Sequence, residues 1–220
     1  MACVNGRVGR ATTQKTSNRH AKGSVMSKLA NWLVMLSLLA AAPALAAPEP
    51  ADPERQTPWK LYVDSREAFA MKQAQGNKVL LVDVRDPIEI MFTGFAPAVD
   101  VVVPFMSANR SKWNDKRSVY LVERDPAFAD KIAKALADRG LGKDTPILLM
   151  CRSGGERGAP SAKDLWGKGF ASVYIVVDGF EGDTIKDGPQ KNWRRVDGWK
   201  NSGLPWGYTL DRSKFPIGSD

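Results

Sequence analysis

The feature that most constrains this chain is a series of short, largely apolar runs that alternate with segments of helical character. Val79-Leu80-Leu81-Val82-Asp83, Val99 to Val103, Pro146-Ile147-Leu148-Leu149-Met150 and Ser172-Val173-Tyr174-Ile175-Val176-Val177 lack polar alternation. Such runs read as strands covered on both faces. Lys60-Leu61-Tyr62-Val63 is a shorter candidate. Between them, Asp64 or Ser65 can cap a helix running to about Gln75 and closed by Gly76. A short helix is expected around Ile88 to Phe92. Pro126 opens an amphipathic helix in which Phe128, Ile132 and Leu136 recur every four residues, with Gly140 as its stop. Strands that alternate with helices argue for an α/β fold with a parallel sheet. Ligands in such folds sit beyond the C-terminal ends of the strands. Asp83, Cys151 and Asp178 all fall at such ends.

One of these junctions carries reactive chemistry. The strand ending at Met150 runs into Cys151-Arg152-Ser153-Gly154-Gly155-Glu156-Arg157-Gly158. A helix with Pro160 in its first turn is then expected to Lys168. In a strand–loop–helix turn of this kind, backbone N–H groups can converge on one point where the helix dipole adds positive potential. A thiolate there is stabilised, and so is an anion bound over it. The alternative is an inert cysteine buried at a strand end. Glu156 is expected to face solvent, since its charge would repel a bound anion.

The N-terminus reads differently. Lys28, the apolar stretch Leu29 to Leu39, and the small residues up to Ala46 form a secretory signal peptide with cleavage expected after Ala46. The apolar stretch is shorter than the ~20 residues of a membrane span, so no lasting membrane insertion is expected; an uncleaved anchor is the alternative reading. Met26 is a plausible true start. Residues 1–46 contain six basic and no acidic residues, which leaves 26 basic against 24 acidic residues in the mature chain and a net charge of +2. The formal charge of +8 for the whole sequence is therefore no sign of nucleic-acid binding. Cleavage also removes Cys3 and His20. Cys151 is then the only cysteine and no histidine remains, which excludes a Cys–His pair, a zinc site and an intramolecular disulfide. A periplasmic or secreted location follows from the signal, and an unpaired thiol there implies that the thiol is used.

The remaining stretches are less informative. Residues 47–58 read as a disordered leader and residues 211–220 as a C-terminal tail. Residues 107–117 are polar and irregular, followed by a candidate extra strand at Val119 to Val122. The two stretches 107–122 and 184–195 read as insertions in a domain spanning 59–210, exposed loops or else partner surfaces. Trp193, Trp199, Trp206 and Tyr208 are expected to pack the tail onto the domain.

Together these pieces resemble the rhodanese superfamily. Leu81-Val82-Asp83-Val84-Arg85 followed by Glu89 is similar to that family's first-strand signature, and Cys151-Arg152-Ser153-Gly154 to its active-site loop. Val173-Tyr174 through Asp178-Gly179-Phe180 is similar to its last strand and turn, and Gly198-Trp199 with Gly203-Leu204-Pro205 to its closing segment. The resemblance covers roughly residues 62–205 and implies a three-layer fold, a central parallel sheet between helices. It differs in two places. Five residues separate Cys151 from Arg157, where the family usually has four between its cysteine and the later arginine. This spacing is similar to that of rhodanese-fold dual-specificity phosphatases and arsenate reductases. Gly94-Phe95-Ala96 stands where the family often has Gly-His-Ile.

Three functions are compatible with these residues. In the first, Cys151 takes sulfane sulfur from thiosulfate or a persulfide and passes it to a thiophilic acceptor such as cyanide or a protein thiol, without cofactor or metal. Arg152 and Arg157 are then candidates for binding the donor anion, with a structural bond from Arg157 to a neighbouring acid as the alternative. In the second, Cys151 attacks phosphorus or arsenic, with Arg157 clamping the oxygens and Glu156, Asp178 or Glu181 as conceivable general acid. In the third, the chain is a non-enzymatic sulfur carrier or a binding module. In all three, Asp83 and Arg85 are expected to hold the strand end and adjacent loops together.

Overall fold

The computed structural model describes residues 46–215. The signal segment, Met26, Cys3, His20 and residues 216–220 lie outside the described residues. Five strands form one parallel sheet: β1 (Tyr62–Val63), β2 (Leu80–Asp83), β3 (Val101–Val102), β6 (Ile147–Met150) and β7 (Val173–Val176), in the order β1-β7-β6-β2-β3. The three central strands are β7, β6 and β2, and in β2 and β6 every residue is buried. The sheet edges are two-residue strands, too short to template pairing with another chain.

Four helices flank the sheet: α1 (Ser65–Gln75), α2 (Pro87–Thr93), α3 (Phe128–Ala137) and α4 (Gly158–Leu165). Two of the four starts are capped by a side chain. Asp64 accepts from the Glu67 N–H while the Glu67 carboxylate accepts from the Asp64 N–H, a reciprocal cap on α1. Asp86 caps α2, and Pro87 occupies its first position. The four-residue apolar spacing of α3 places Phe128, Ile132 and Leu136 in the core. Two hydrophobic clusters result, one on each face of the sheet. Leu80, Val82, Ile147 and Leu149 point into the first with α3 and α4. Leu81, Leu148, Met150 and Val176 point into the second with Trp199 and Phe180. The architecture is the three-layer α/β fold implied by the rhodanese resemblance.

Three expectations need correction. Residues 107–117 are not irregular: β4 (Met106–Asn114) pairs antiparallel with β5 (Val119–Arg124), with a register shift between Asn109 and Trp113. This hairpin is mostly exposed, so it has none of the apolar runs that reveal a buried strand. Residues 47–58 do not behave as a disordered leader. The Ala47 N–H donates to the Tyr62 carbonyl (3.0 Å), Thr57 is buried, and Pro53–Arg55 form a turn of 3-10 helix capped by Asp52. Of the four tail aromatics, Trp199 is fully buried, its indole N–H donating to the Pro205 carbonyl, while Trp193 and Tyr208 are exposed. Residues 184–195 also have some order, with a bridge between Thr184 and Arg194.

Candidate active site

The C-terminal ends of β2, β6 and β7 meet at one edge of the sheet, and the residues singled out from the sequence gather there. Cys151 follows β6 directly and is almost wholly buried, at 2% exposure. The first residue of α4 lies against it: a Cβ placed on Gly158 would stand 3.6 Å from the Cys151 sulfur and 3.1 Å from Ile175. The sulfur thus sits at the mouth of α4, where the helix dipole favours negative charge.

The loop from Arg152 to Arg157 is held from outside. The Phe180 N–H donates to the Cys151 carbonyl (2.8 Å), and the Glu181 and Gly182 N–H groups donate to the Arg152 carbonyl (2.9 and 3.1 Å). These bonds use loop carbonyls as acceptors. Among the described residues, no N–H from Arg152 to Arg157 donates to a protein group. Uncommitted amides in a glycine-bearing loop that follows a cysteine are available to bind an anion.

Two glycines make this curvature possible. Gly154 has φ +71°, and a Cβ there would lie 1.8 Å from the Val177 carbonyl oxygen. Gly179 has φ +62°, and a Cβ there would lie 2.6 Å from the Cys151 carbonyl oxygen and the Ser153 nitrogen. Neither position accepts a side chain without moving backbone. Ser153 and Gly155 complete the loop, and the Arg55 guanidinium lies close over Gly155, 3.2 Å from where its Cβ would be.

The charged residues separate by partner. Arg157 makes a two-pronged ion pair with Glu89 of α2 (2.5 and 3.0 Å). Burial pushes the Glu89 carboxyl up, but the hydrogen bonds and charge of Arg157 outweigh it and hold the group below its usual range. Burial likewise disfavours the Arg157 charge, yet Glu89 and, to a lesser degree, Cys151 stabilise it on balance. Arg152 turns the other way and donates to Glu181 (2.6 Å). Glu156 is exposed and bonds Arg117 of the hairpin (3.0 Å). Asp83 and Arg85 are completely buried as a forked pair with a shortest contact of 2.6 Å. Arg85 also donates to Thr93 and to the Gly94 carbonyl, and lies 4.0 Å from the Phe180 ring centroid.

The sequence reading had not paired Arg157 with Glu89, nor placed Arg55 or Arg117 at the loop. Glu89 stood in the family signature but without a partner. Arg55 lay in a segment read as disordered, and Arg117 in one read as loop. Asp178, at the end of β7, accepts from the Gly198 N–H, but its second oxygen has no partner. Burial raises its pKa to about 6.

No family model matches the chain, and no curated protein matches it. Among solved structures it is similar to Rv0390 from M. tuberculosis, with 26% identity over 67% of this chain and 97% of the other and a TM-score of 0.46. It is also similar to the polysulfide-sulfur transferase homodimer of Wolinella succinogenes, with 23% identity, coverage of 69% and 79%, and a TM-score of 0.39. A third is a protein of unknown function, possible tyrosine phosphatase, from Rhodopseudomonas palustris, with 22% identity, coverage of 51% and 70%, and a TM-score of 0.28.

Proposed function

We propose that this chain is an exported rhodanese-like sulfurtransferase that carries sulfane sulfur on Cys151. The observation behind this reading is the row of uncommitted N–H groups from Arg152 to Arg157 beside a sulfur at the start of α4. Such a nest stabilises a thiolate and then a persulfide anion, with no general acid needed.

The Cys151 thiolate attacks the outer sulfur of thiosulfate. A Cys–S bond forms, the sulfur–sulfur bond of thiosulfate breaks, and sulfite leaves with the bonding pair. The terminal sulfur of the persulfide carries the negative charge about 2 Å beyond the cysteine sulfur, toward the loop amides. A nucleophilic acceptor then attacks that terminal sulfur, and Cys151 leaves as thiolate. Arg157, fixed by Glu89, supplies positive charge near the cysteine in both states. Asp83 and Arg85 position the strand end and touch no substrate.

Phosphatase chemistry asks more of the same loop. It needs the Arg157 fork on phosphate oxygens, and Glu89 already fills that fork. It also needs a proton donor for the leaving oxygen; Glu156 is engaged by Arg117 and Glu181 by Arg152, which leaves Asp178 as the one candidate acid without an ion pair among the described residues. The test is one preparation assayed with thiosulfate plus cyanide and with an aryl phosphate. Thiocyanate should form, and Cys151→Ser should abolish it. Phosphate release without thiocyanate would reverse the assignment. Export is tested by sequencing the N-terminus of the protein recovered outside the cytoplasm, expected to begin near Ala47.

A further inference from the structure

The arginines around the cysteine loop are committed to acids, with one exception. Arg85, Arg117, Arg152 and Arg157 each donate to a carboxylate, at 2.6, 3.0, 2.6 and 2.5 Å. Arg55 does not. Among the described residues, the one carboxylate close to its guanidinium is Asp52, and at 3.9 Å it is beyond hydrogen-bond reach. Glu49, Asp178, Asp183 and Asp197 line a cavity of about 290 Å³ beside Arg55, yet the group turns from them to the loop.

The contact with the loop has a defined shape. From the point a Cβ would take on Gly155, the Arg55 Nη2, Cζ and Nε atoms stand at 3.2, 3.4 and 3.4 Å. Bonded atoms at nearly one distance put that point over the face of the guanidinium, not at its edge. The N–H donors lie in the guanidinium plane, so they are directed along the loop surface. Unlike Gly154, Gly155 has no left-handed backbone that calls for glycine. Its missing side chain is the space that the guanidinium occupies. The leader holds Arg55 in this place. Asp52 caps the turn Pro53–Arg55, Lys163 of α4 donates to the Glu54 carbonyl (3.1 Å), and the Gln56 amide donates to the Pro50 carbonyl (3.0 Å).

We propose that Arg55 binds the oxyanion end of the sulfur donor and so selects donors that carry two negative charges. This rests on the sulfur-transfer reading and adds a binding residue from outside residues 62–205, where the family resemblance lies. The uncommitted amides from Arg152 to Arg157 and the Arg55 guanidinium border the same loop. An anion on those amides has the free guanidinium edge beside it. A charge-assisted hydrogen bond from that edge to a sulfonate oxygen is roughly twice as strong as a neutral one. Thiosulfate carries its second charge on those oxygens, which leave with sulfite once its sulfur–sulfur bond breaks. Arg152 and Arg157, nearer the cysteine in sequence, stay bonded to Glu181 and Glu89.

Sulfate, an unreactive dianion, is the binding probe, read by its protection of Cys151 from iodoacetamide. The Arg55 side chain is 36% exposed, so its loss strands no buried charge. Sulfate should protect the wild type, and Arg55→Gln should raise the half-protecting concentration about tenfold, the effect of one charge-assisted hydrogen bond. Arg55→Lys should recover part of that loss. Gly155→Ala, which displaces the guanidinium without removing its charge, should share the loss. The preference for thiosulfate over the monoanion methanethiosulfonate, as a ratio of kcat/KM, should fall about tenfold in Arg55→Gln. An unprotected wild type, or equal protection and an equal ratio in Arg55→Gln, overturns the proposal whatever the cyanide assay shows. Equal losses in Arg55→Gln and Arg55→Lys with a lowered urea midpoint also overturn it, since Arg55 then only packs the leader onto the loop. Arg55-dependent protection in a protein that forms no thiocyanate keeps the anion site and overturns its role in donor binding.

Discussion

Two arginine–carboxylate forks stand near the cysteine loop, and they serve different ends. Arg85–Asp83 is wholly sealed, and Arg85 is further bonded by Thr93 and the Gly94 carbonyl. Arg157–Glu89 keeps 14% and 20% side-chain exposure and belongs to the loop itself. The first pair cannot open without leaving a charge in the core, so it fixes the end of β2. The second pair is less costly to disturb and lies where its net field reaches the sulfur. Asp178 is a third carboxylate at a strand end, and it has no arginine. The same residue types become frame, rim or liability according to what surrounds them.

The comparison breaks most sharply at Arg85. Arg85→Ala strands the Asp83 charge in the core and should cost about 3–5 kcal/mol, read as a lower urea midpoint. A loss below about 1 kcal/mol would mean that the pair behaves like an exposed one.

Asp178 should give the next effect, with the opposite pH dependence to a paired acid. Its folded pKa of about 6 lies above the ordinary 3.8, so its contribution is full below pH 4 and lost as pH rises through about 6. Asp178→Asn should therefore gain about 1–3 kcal/mol relative to wild type at pH 7.5 and nothing at pH 4, measured by urea titration at both.

Glu89 has a folded pKa below its ordinary 4.5. Its contribution is present above pH 4.5 and is lost as pH falls through the folded value. Glu89→Gln should cost about 1–2 kcal/mol at pH 7 and remove that acid limb. If Arg157 is held in place for the thiolate, Arg157→Gln should lower the rate of Cys151 alkylation at pH 6 about tenfold. An unchanged rate would reduce the rim pair to scaffolding. The smallest effect belongs to the exposed Arg117–Glu156 contact: Arg117→Ala should change stability by less than about 1 kcal/mol.

The same contrast governs how much could be read from the chain. The sheet was legible because Leu80 to Asp83 and Ile147 to Met150 are buried on both faces and carry that fact in their composition. The cysteine loop was legible because its glycines and the helix after it constrain the backbone locally. The β4–β5 hairpin was not, since Met106 to Asn114 is held by cross-strand backbone bonds that leave little trace in residue type. The leader 47–58 was missed for a similar reason. A proline-rich, charged composition describes its exposed face, while its order comes from the Ala47 N–H donating to the Tyr62 carbonyl and the Thr57 N–H donating to the Tyr62 hydroxyl oxygen. The partner of Arg157 lies 68 residues away in sequence, which no local pattern encodes.

The central claim is that Cys151 holds a transferable sulfur. Intact-mass measurement of the protein after thiosulfate treatment tests this most directly. The account predicts a gain of one sulfur atom, mapped to the Cys151 peptide, absent in Cys151→Ser and removed by cyanide. A protein that gains no sulfur, yet forms a phosphoryl adduct on Cys151 with an aryl phosphate, would contradict it.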